Sequence, residues 1–295
     1  MYSRILVFSF LLASISQCFG QATGTITGSV TDRSGAVIPA ASVIVTNQET
    51  NQVRDTTADD TGKFTLTFLP VGTYSVRVDK EGFGSSVRKD VLLQVNTTVQ
   101  TDAQLEVRST SEQIQVTAEA SLVQATSTTL VQVVDTRRVQ DLPLNGRNVL
   151  NLMQINAGVS TEGATGQTNQ IQNLGTAVTA SINGSRGNGT NFLLDNGDNN
   201  DGYTNTALPF PNPDAVQEFS IQTSTFDAQY GRGVGGVVNV VTKSGTNRVH
   251  GSLFEYLRNY ELNAANFFSG RDTVKRNQFG GSFGGPVVLP KLYNG

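Results

Sequence analysis

Between residues 23 and 107, apolar and polar residues alternate, and this period of two constrains the fold more than any other feature of the chain. Phe64, Leu66 and Phe68 interleave with Lys63, Thr65 and Thr67, and Tyr74, Val76 and Val78 with Ser75, Arg77 and Asp79. Val99, Ala103, Leu105 and Val107 share one parity, against Gln100, Asp102, Gln104 and Glu106. Successive side chains of a strand point to opposite faces, so each run predicts a strand with one face on a core and one in water. Turn signals separate the runs at Asp32-Arg33-Ser34-Gly35, Asp59-Asp60-Thr61-Gly62 and Leu69-Pro70-Val71-Gly72. Short strands at this spacing predict a β-sandwich, and about 85 residues suffice for one to fold alone.

Residues 1–20 read as a signal peptide. Arg4 supplies the positive charge, residues 5–15 are apolar or small, and Cys18-Phe19-Gly20 ends small, which places cleavage before Gln21. The run is too short to span a bilayer. A lipid on Cys18 is the weaker alternative, because Gln17 stands where a small residue is required. Cys18 is the only cysteine, so the mature chain has no disulfide, thiolate metal site or cysteine nucleophile. His250 is the only histidine, so a Ser-His-Asp triad or a His-containing zinc site would have to use it. It opens a strand-like run and reads as an exposed strand residue. Enzyme chemistry is therefore nearly without parts, and no cofactor or metal is expected. The net charge of −3 argues against nucleic acid as a partner. Charged residues at 15% and hydrophobic ones at 37% argue against bulk disorder.

After residue 107 the pattern changes. Residues 108–118 form a linker in which Glu112, Gln113, Ile114, Gln115, Val116, Thr117 and Ala118 make a short β-prone run between polar flanks. Residues 119–243 mix short helices and strands, as a compact α+β unit does. A helix is predicted over residues 135–142 with Asp135 as N-cap, ended by Pro143. A second is predicted over residues 147–154, with Val149, Leu152 and Met153 on one face. Residues 158–176 read as a polar loop. Strands are predicted near residues 179–182, 192–194, 219–223 and 236–242. Gly231-Arg232-Gly233-Val234-Gly235-Gly236 fits G-x-G-x-x-G, but a β-branched strand follows it where a dinucleotide site needs a helix. It reads as a tight turn whose glycines supply positive φ. Residues 195–202 resemble a calcium loop in composition. With Gly202 as the sharp-turn glycine, however, Gly197 falls where the first acid is required and Leu208 where the bidentate glutamate belongs, so an Asx-rich polar loop is the better reading.

In residues 244–295, Leu253, Phe254, Tyr256 and Leu257 predict one strand, with ambiguous parity because Glu255 falls between the leucines. Phe279 and Phe283 predict a second. Alternation of an outward apolar and an inward polar face marks a membrane barrel. At about ten residues per transmembrane strand, the residues after Lys243 provide about two to four strands, fewer than the eight of the smallest outer-membrane barrels. The expectation is a chain cut at the start of a barrel.

Several motifs carry a resemblance. Gly28-Ser29-Val30-Thr31-Asp32, Asp60-Thr61-Gly62-Lys63-Phe64 and Leu69-Pro70-Val71-Gly72-Thr73-Tyr74 resemble the carboxypeptidase regulatory-like domain, which implies a transthyretin-like fold without catalytic residues over residues 21–107. Leu142-Pro143-Leu144-Asn145-Gly146-Arg147-Asn148, Ile182-Asn183-Gly184-Ser185-Arg186-Gly187, Leu193-Leu194-Asp195 and the segment from Pro213 to Phe219 resemble the plug domain of TonB-dependent receptors. The strongest piece runs from Tyr230 through Gly231, Gly233, Gly236 and Asn239 to Lys243. One departure is Asn196, where the family usually has glycine after Asp195; asparagine tolerates the positive φ of such a turn. Residues 248–259, 262–264 and 276–286 resemble the barrel start of the Oar-like subgroup.

The implied architecture is mainly β: a transthyretin-like sandwich, a small α+β plug, and the first strands of an incomplete outer-membrane β-barrel. The implied function is that of a TonB-dependent outer-membrane receptor taking up an unidentified solute, with sandwich and plug on the periplasmic side. The implied partners are TonB, with its inner-membrane energising complex, and that solute. The 112–118 run resembles a TonB box, an extended, unpaired segment that would pair by strand addition to a sheet edge of TonB. Arg147, Arg186 and Arg232 imply polar pairing within the plug or against the barrel wall. The alternatives are a structural or adhesive surface protein of the same architecture, and a periplasmic sandwich binding module.

Overall fold

A computed structural model describes residues 22–107, 114–116, 130–142, 144–163, 178–224, 230, 233, 235–265, 267–268, 270–271, 273–286, 288–289 and 293–294. The expected signal peptide lies outside the described residues. So do Glu112, Gln113, Thr117 and Ala118 of the expected TonB box, and Gly231 and Arg232 of the glycine-rich motif.

The first unit is the expected sandwich. Its strands are β1 (Thr23–Asp32), β2 (Ser42–Asn47), β3 (Val53–Thr57), β4 (Lys63–Pro70), β5 (Gly72–Asp79), β6 (Ser86–Leu93), β7 (Thr98–Gln100) and β8 (Ala103–Leu105). β4 pairs antiparallel with one edge of β1, and β7 and then β8 run parallel along the other. The opposing sheet has the order β3-β2-β5-β6-β9, where β9 is Ile114–Val116. Ile26, Val43, Phe64, Tyr74, Val76 and Leu105 fill the space between the sheets.

The alternation fails at one place. Leu66 is buried, but Phe68 has φ +57° and is 78% exposed, and Leu69 takes the core position instead. The β1–β4 register shifts opposite this point, between Gly24 and Ile26. An extra residue in one strand flips the parity of everything after it, so Phe68 leaves the face that strict alternation assigns it. Val107 is likewise exposed rather than buried. The predicted turns form as expected. The carboxylates of Asp32 and Asp59 accept the N–H groups of Ser34 and Ala36, and of Thr61 and Lys63, beside Gly35 and Gly62 at positive φ.

The second unit contains β10 (Leu130–Val134), α1 (Thr136–Asp141), β11 (Val159–Gly163), β12 (Val178–Ile182), β13 (Thr190–Leu194), β14 (Gly197–Asp198), β15 (Val216–Ser224) and β16 (Gly236–Thr242). Asp135 caps α1 by accepting the Arg138 N–H at 2.9 Å. The second predicted helix is a 3-10 helix, Val149–Ile155, capped by Asn148; Leu150 is buried along with Val149, Leu152 and Met153, more than one α-helical stripe accounts for. The polar stretch read as a loop begins with a strand, since β11 pairs antiparallel with β12 across five residues. The main sheet has the order β10-β15-β16-β13-β14. β16 is buried at every position from Gly236 to Val241, as a central strand covered on both faces is.

The third unit is a hairpin of β17 (His250–Asn259) and β18 (Lys275–Gly284), antiparallel over ten pairs. It settles the ambiguous parity. Leu253, Leu257, Phe279 and Phe283 are all strongly exposed, and their register places them on one face. Glu255 shares that face and accepts the Asn277 side-chain N–H at 3.2 Å. Phe254 and Tyr256 stand on the other face, towards the plug. His250 is exposed at the start of β17, as expected.

Candidate functional site

The plug motif residues meet the first barrel strand at Arg147. Gly146, at φ +66°, interrupts the 3-10 turn over residues 145–147, and Arg147 itself lies at φ +58°. Its side chain is 7% exposed. The guanidinium pairs with the Asp214 carboxylate, donates to the Tyr256 hydroxyl at 2.9 Å, and lies 4.3 Å from the Tyr256 ring centroid and 5.3 Å from that of Phe254. A planar, always-charged group with five donors suits this three-way contact as a lysine would not. Lys243 closes the other side of Asp214 by donating to its backbone oxygen at 2.6 Å. Burial holds the Lys243 ammonium below the usual lysine range, with the Asp214 charge opposing that shift. A cleft of about 560 Å³ beside Arg147 is lined by Asp141, Leu144, Tyr256, Arg258, Arg276 and Gln278.

A second cluster fixes the β13–β14 turn. Asp195 and Asn196 have φ +52° and +66°, so asparagine holds the left-handed geometry at the position where glycine was missing. Asp195 accepts the Thr242 N–H at 2.7 Å and the Thr242 hydroxyl at 2.8 Å. Asn196 and the fully buried Asn239 exchange hydrogen bonds of 3.2 and 2.6 Å. The acids of the calcium-like stretch serve the backbone in the same way: Asp198 accepts the N–H of Asn200, and Asp201 those of Tyr203 and Thr204.

The glycine-rich motif works differently from its sequence reading. Gly233 and Gly236 are not at positive φ. Instead, a Cβ on Gly233 would come within 2.3 Å of the Gly189 carbonyl oxygen, and one on Gly236 within 2.7 Å of the Gln222 oxygen. Close backbone approach, rather than a tight turn, demands these glycines. β15 and β16 do form a hairpin, but residues 225–235 separate them.

The sandwich and the plug touch through polar groups of which sequence reading had singled out Tyr230 but not Glu218. Glu218 of β15 accepts the Val95 N–H at 2.9 Å. Tyr230, a named motif residue, donates its hydroxyl to Asn96 at 2.9 Å. Ala22, Val71 and Val95 of the sandwich form an apolar cluster with Val241 of the plug. Burial pushes the Glu218 pKa up to about 7; the Val95 N–H opposes this and the Asp135 charge adds to it. Glu218 shares its parity with Ser220 and Gln222, which reads as a solvent face. All three are buried, and only the tertiary arrangement reveals that.

The other named residues divide. Arg147 makes the expected polar pairing, Arg186 is exposed, and Arg232 lies outside the described residues. Of the candidate TonB box, Ile114, Gln115 and Val116 are described, and they pair in parallel with Ser86, Val87 and Arg88 of β6. These three residues are therefore paired within their own chain, where the sequence reading had the segment open.

Comparison with known proteins divides the chain as the structure does. Residues 25–106 match the carboxypeptidase regulatory-like domain, residues 123–238 the TonB-dependent receptor plug domain, and residues 241–294 an outer membrane β-barrel domain. The chain is 28% identical over 293 residues to the TonB-dependent transporter Oar of Myxococcus xanthus, covering 94% of this chain and 26% of that protein; it thus spans about a quarter of its relative's length. Among solved structures it is similar to the siderophore receptor PirA of Acinetobacter baumannii, with 26% identity, 59% of this chain and 24% of that one covered, and a TM-score of 0.41. PirA of Pseudomonas aeruginosa gives 22%, 42%, 20% and 0.30 for the same measures. The chain thus carries, in this order, a carboxypeptidase regulatory-like domain, a TonB-dependent receptor plug domain and a match to an outer membrane β-barrel domain, and over most of its length it is similar to a TonB-dependent transporter.

Proposed function

We propose that this chain acts within a receptor that imports a solute across the outer membrane, with Glu112–Ala118 as the segment gripped by TonB and with sandwich and plug on the periplasmic side. The observation that carries the reading is the Arg147 contact. A plug motif residue, buried and paired with Asp214, also holds Tyr256 of the first barrel strand. A plug clamped to its barrel wall by a few polar groups suits a gate that must be rearranged by force applied elsewhere, at an extended segment preceding it. Strand addition supplies such a grip, because it uses the backbone and tolerates varied side chains. The energy would come from the inner membrane, so the chain needs no nucleotide.

The test is Val116→Pro in the complete receptor. Proline removes one N–H and disfavours ladder pairing, so binding of the periplasmic domain of TonB, followed by calorimetry, should be lost while the outer-membrane level stays unchanged. Ile114→Val should bind as wild type does. Equal affinity for wild type and Val116→Pro would remove this segment from the role.

A further inference from the structure

In the sandwich, β6 offers one edge to β5. Its other edge, with the residues that lead into it, is covered from Phe83 to Arg88 by the end of the sandwich and the linker beyond it. Gly84 donates its N–H to the Glu106 oxygen at 2.8 Å, Phe83 bridges Val107, and Ser86, Val87 and Arg88 pair with Ile114, Gln115 and Val116. Without β9 this sheet would end at β6 with a row of open backbone groups, the kind of edge that recruits other strands. β9 is the segment assigned above to TonB.

We propose that the β6 edge of the sandwich is an intramolecular docking site for residues 114–116, and that TonB engages the segment by displacing it from β6. The proposal rests on the TonB-box reading. Both interactions use one chemistry, the backbone N–H and C=O groups of an extended segment meeting a sheet edge, and neither demands a particular side chain. Among the described residues the pairing on β6 spans three positions and is parallel, the weaker of the two ladder geometries. A longer strand pairing offered by a partner would therefore replace it. Release would also bare β6 from Ser86 to Arg88, so the sandwich changes its exposed surface in step with TonB engagement. The sandwich thus acts as a guard on the segment, keeping it extended and off other sheet edges until its partner arrives.

A cross-link tests this. Arg88 and Val116 face each other in register, and neighbouring strands lie about 5 Å apart, within the Cα range of a disulfide. Arg88→Cys with Val116→Cys, in the 295-residue chain carrying Cys18→Ser, leaves no other thiol. Mild oxidation should close the bond. The oxidised chain should bind the periplasmic domain of TonB at least about tenfold more weakly than the reduced chain, reduction should restore wild-type affinity, and a free peptide of residues 112–118 should bind more tightly than the intact wild-type chain. Failure of the disulfide to form, or unprotected Gln115 and Val116 amides in hydrogen exchange, overturns the docking on β6. A peptide that binds TonB, together with a closed cross-link that leaves affinity unchanged, overturns the displacement. A peptide that fails to bind TonB overturns the TonB-box reading itself, and the displacement with it, while a cross-link that still forms shows the β6 docking to be real.

Discussion

The carboxylate of Glu218, on the plug's strand β15, accepts the backbone N–H of Val95 in the sandwich at 2.9 Å. The two residues are 123 positions apart, and their contact lies beside the Tyr230–Asn96 hydrogen bond and the cluster of Ala22, Val71, Val95 and Val241. Together these bonds make the junction a packed surface. An acid placed there loses most of its hydration and gains one N–H in exchange, which is why burial dominates its pKa.

That balance makes the junction sensitive to pH. The Glu218 pKa rises from 4.5 to about 7 on burial, so between those values the folded, docked state holds a proton that the unfolded state has released. The contribution of Glu218 to stability is therefore greatest below pH about 4.5, falls as pH rises to about 7, and is flat beyond, by about 3 kcal/mol in all. Glu218→Gln should remove this slope and melt higher than wild type at pH 8. Parallel thermal melts of the two chains from pH 5 to 8 check it; an unchanged slope in the variant would assign the pH dependence elsewhere.

Arg147 should be far less replaceable than its charge suggests. Arg147→Ala leaves the Asp214 carboxylate buried without its partner, and removing one member of such a pair costs about 3–5 kcal/mol. Arg147→Lys should recover little, because a point charge cannot serve Asp214, the Tyr256 hydroxyl and two ring faces together. Tyr256→Phe keeps the ring and should cost about 1 kcal/mol. Urea unfolding of the three variants gives the ranking, and a lysine variant within error of wild type would contradict the geometry.

Gly233→Ala should destabilise the plug by about 2 kcal/mol or more, since its Cβ would press on the Gly189 carbonyl and the Asn191 nitrogen. Gly245→Ala is the control: its Cβ meets nothing within 4 Å, and the change should stay within about 0.5 kcal/mol. Equal midpoints for the two variants would remove close approach as the reason for the motif's glycines.

The exposed face of Leu253, Leu257, Phe279 and Phe283 should face lipid in the complete receptor. Leu253→Arg should then weaken barrel assembly by up to about 2–4 kcal/mol if the residue lies near the bilayer midplane, seen as loss of heat-modifiable mobility in electrophoresis. Wild-type assembly with Arg at both 253 and 279 would place this face away from lipid.

Much of the fold is legible in local pattern because the relevant physics is local. Alternation places Tyr74, Val76 and Val78 in the core since a strand's pleat has a period of two. Asp135 caps α1 because a short acceptor reaches the first N–H groups of any helix. Asn196 holds a left-handed turn through a preference carried by the residue itself. Motif order further placed Arg147, Tyr230 and Lys243 in the plug, although not what they touch.

Sequence by itself thus determined the sandwich strands, the capping and turn residues, and the succession of units. Tertiary structure alone decided the rest. Phe68 leaves the core because a bulge against β1 shifts the register, and a bulge depends on the partner strand. Residues 159–163 become a strand because β12 offers them a ladder. Arg147 meets Asp214 and Tyr256 from 67 and 109 positions away, and Ile114–Val116 lies on β6 instead of standing open. Glu218 has the parity of a solvent face and turns out buried. Period two reports that a strand has two faces, whereas which face meets water depends on what the rest of the chain lays over it.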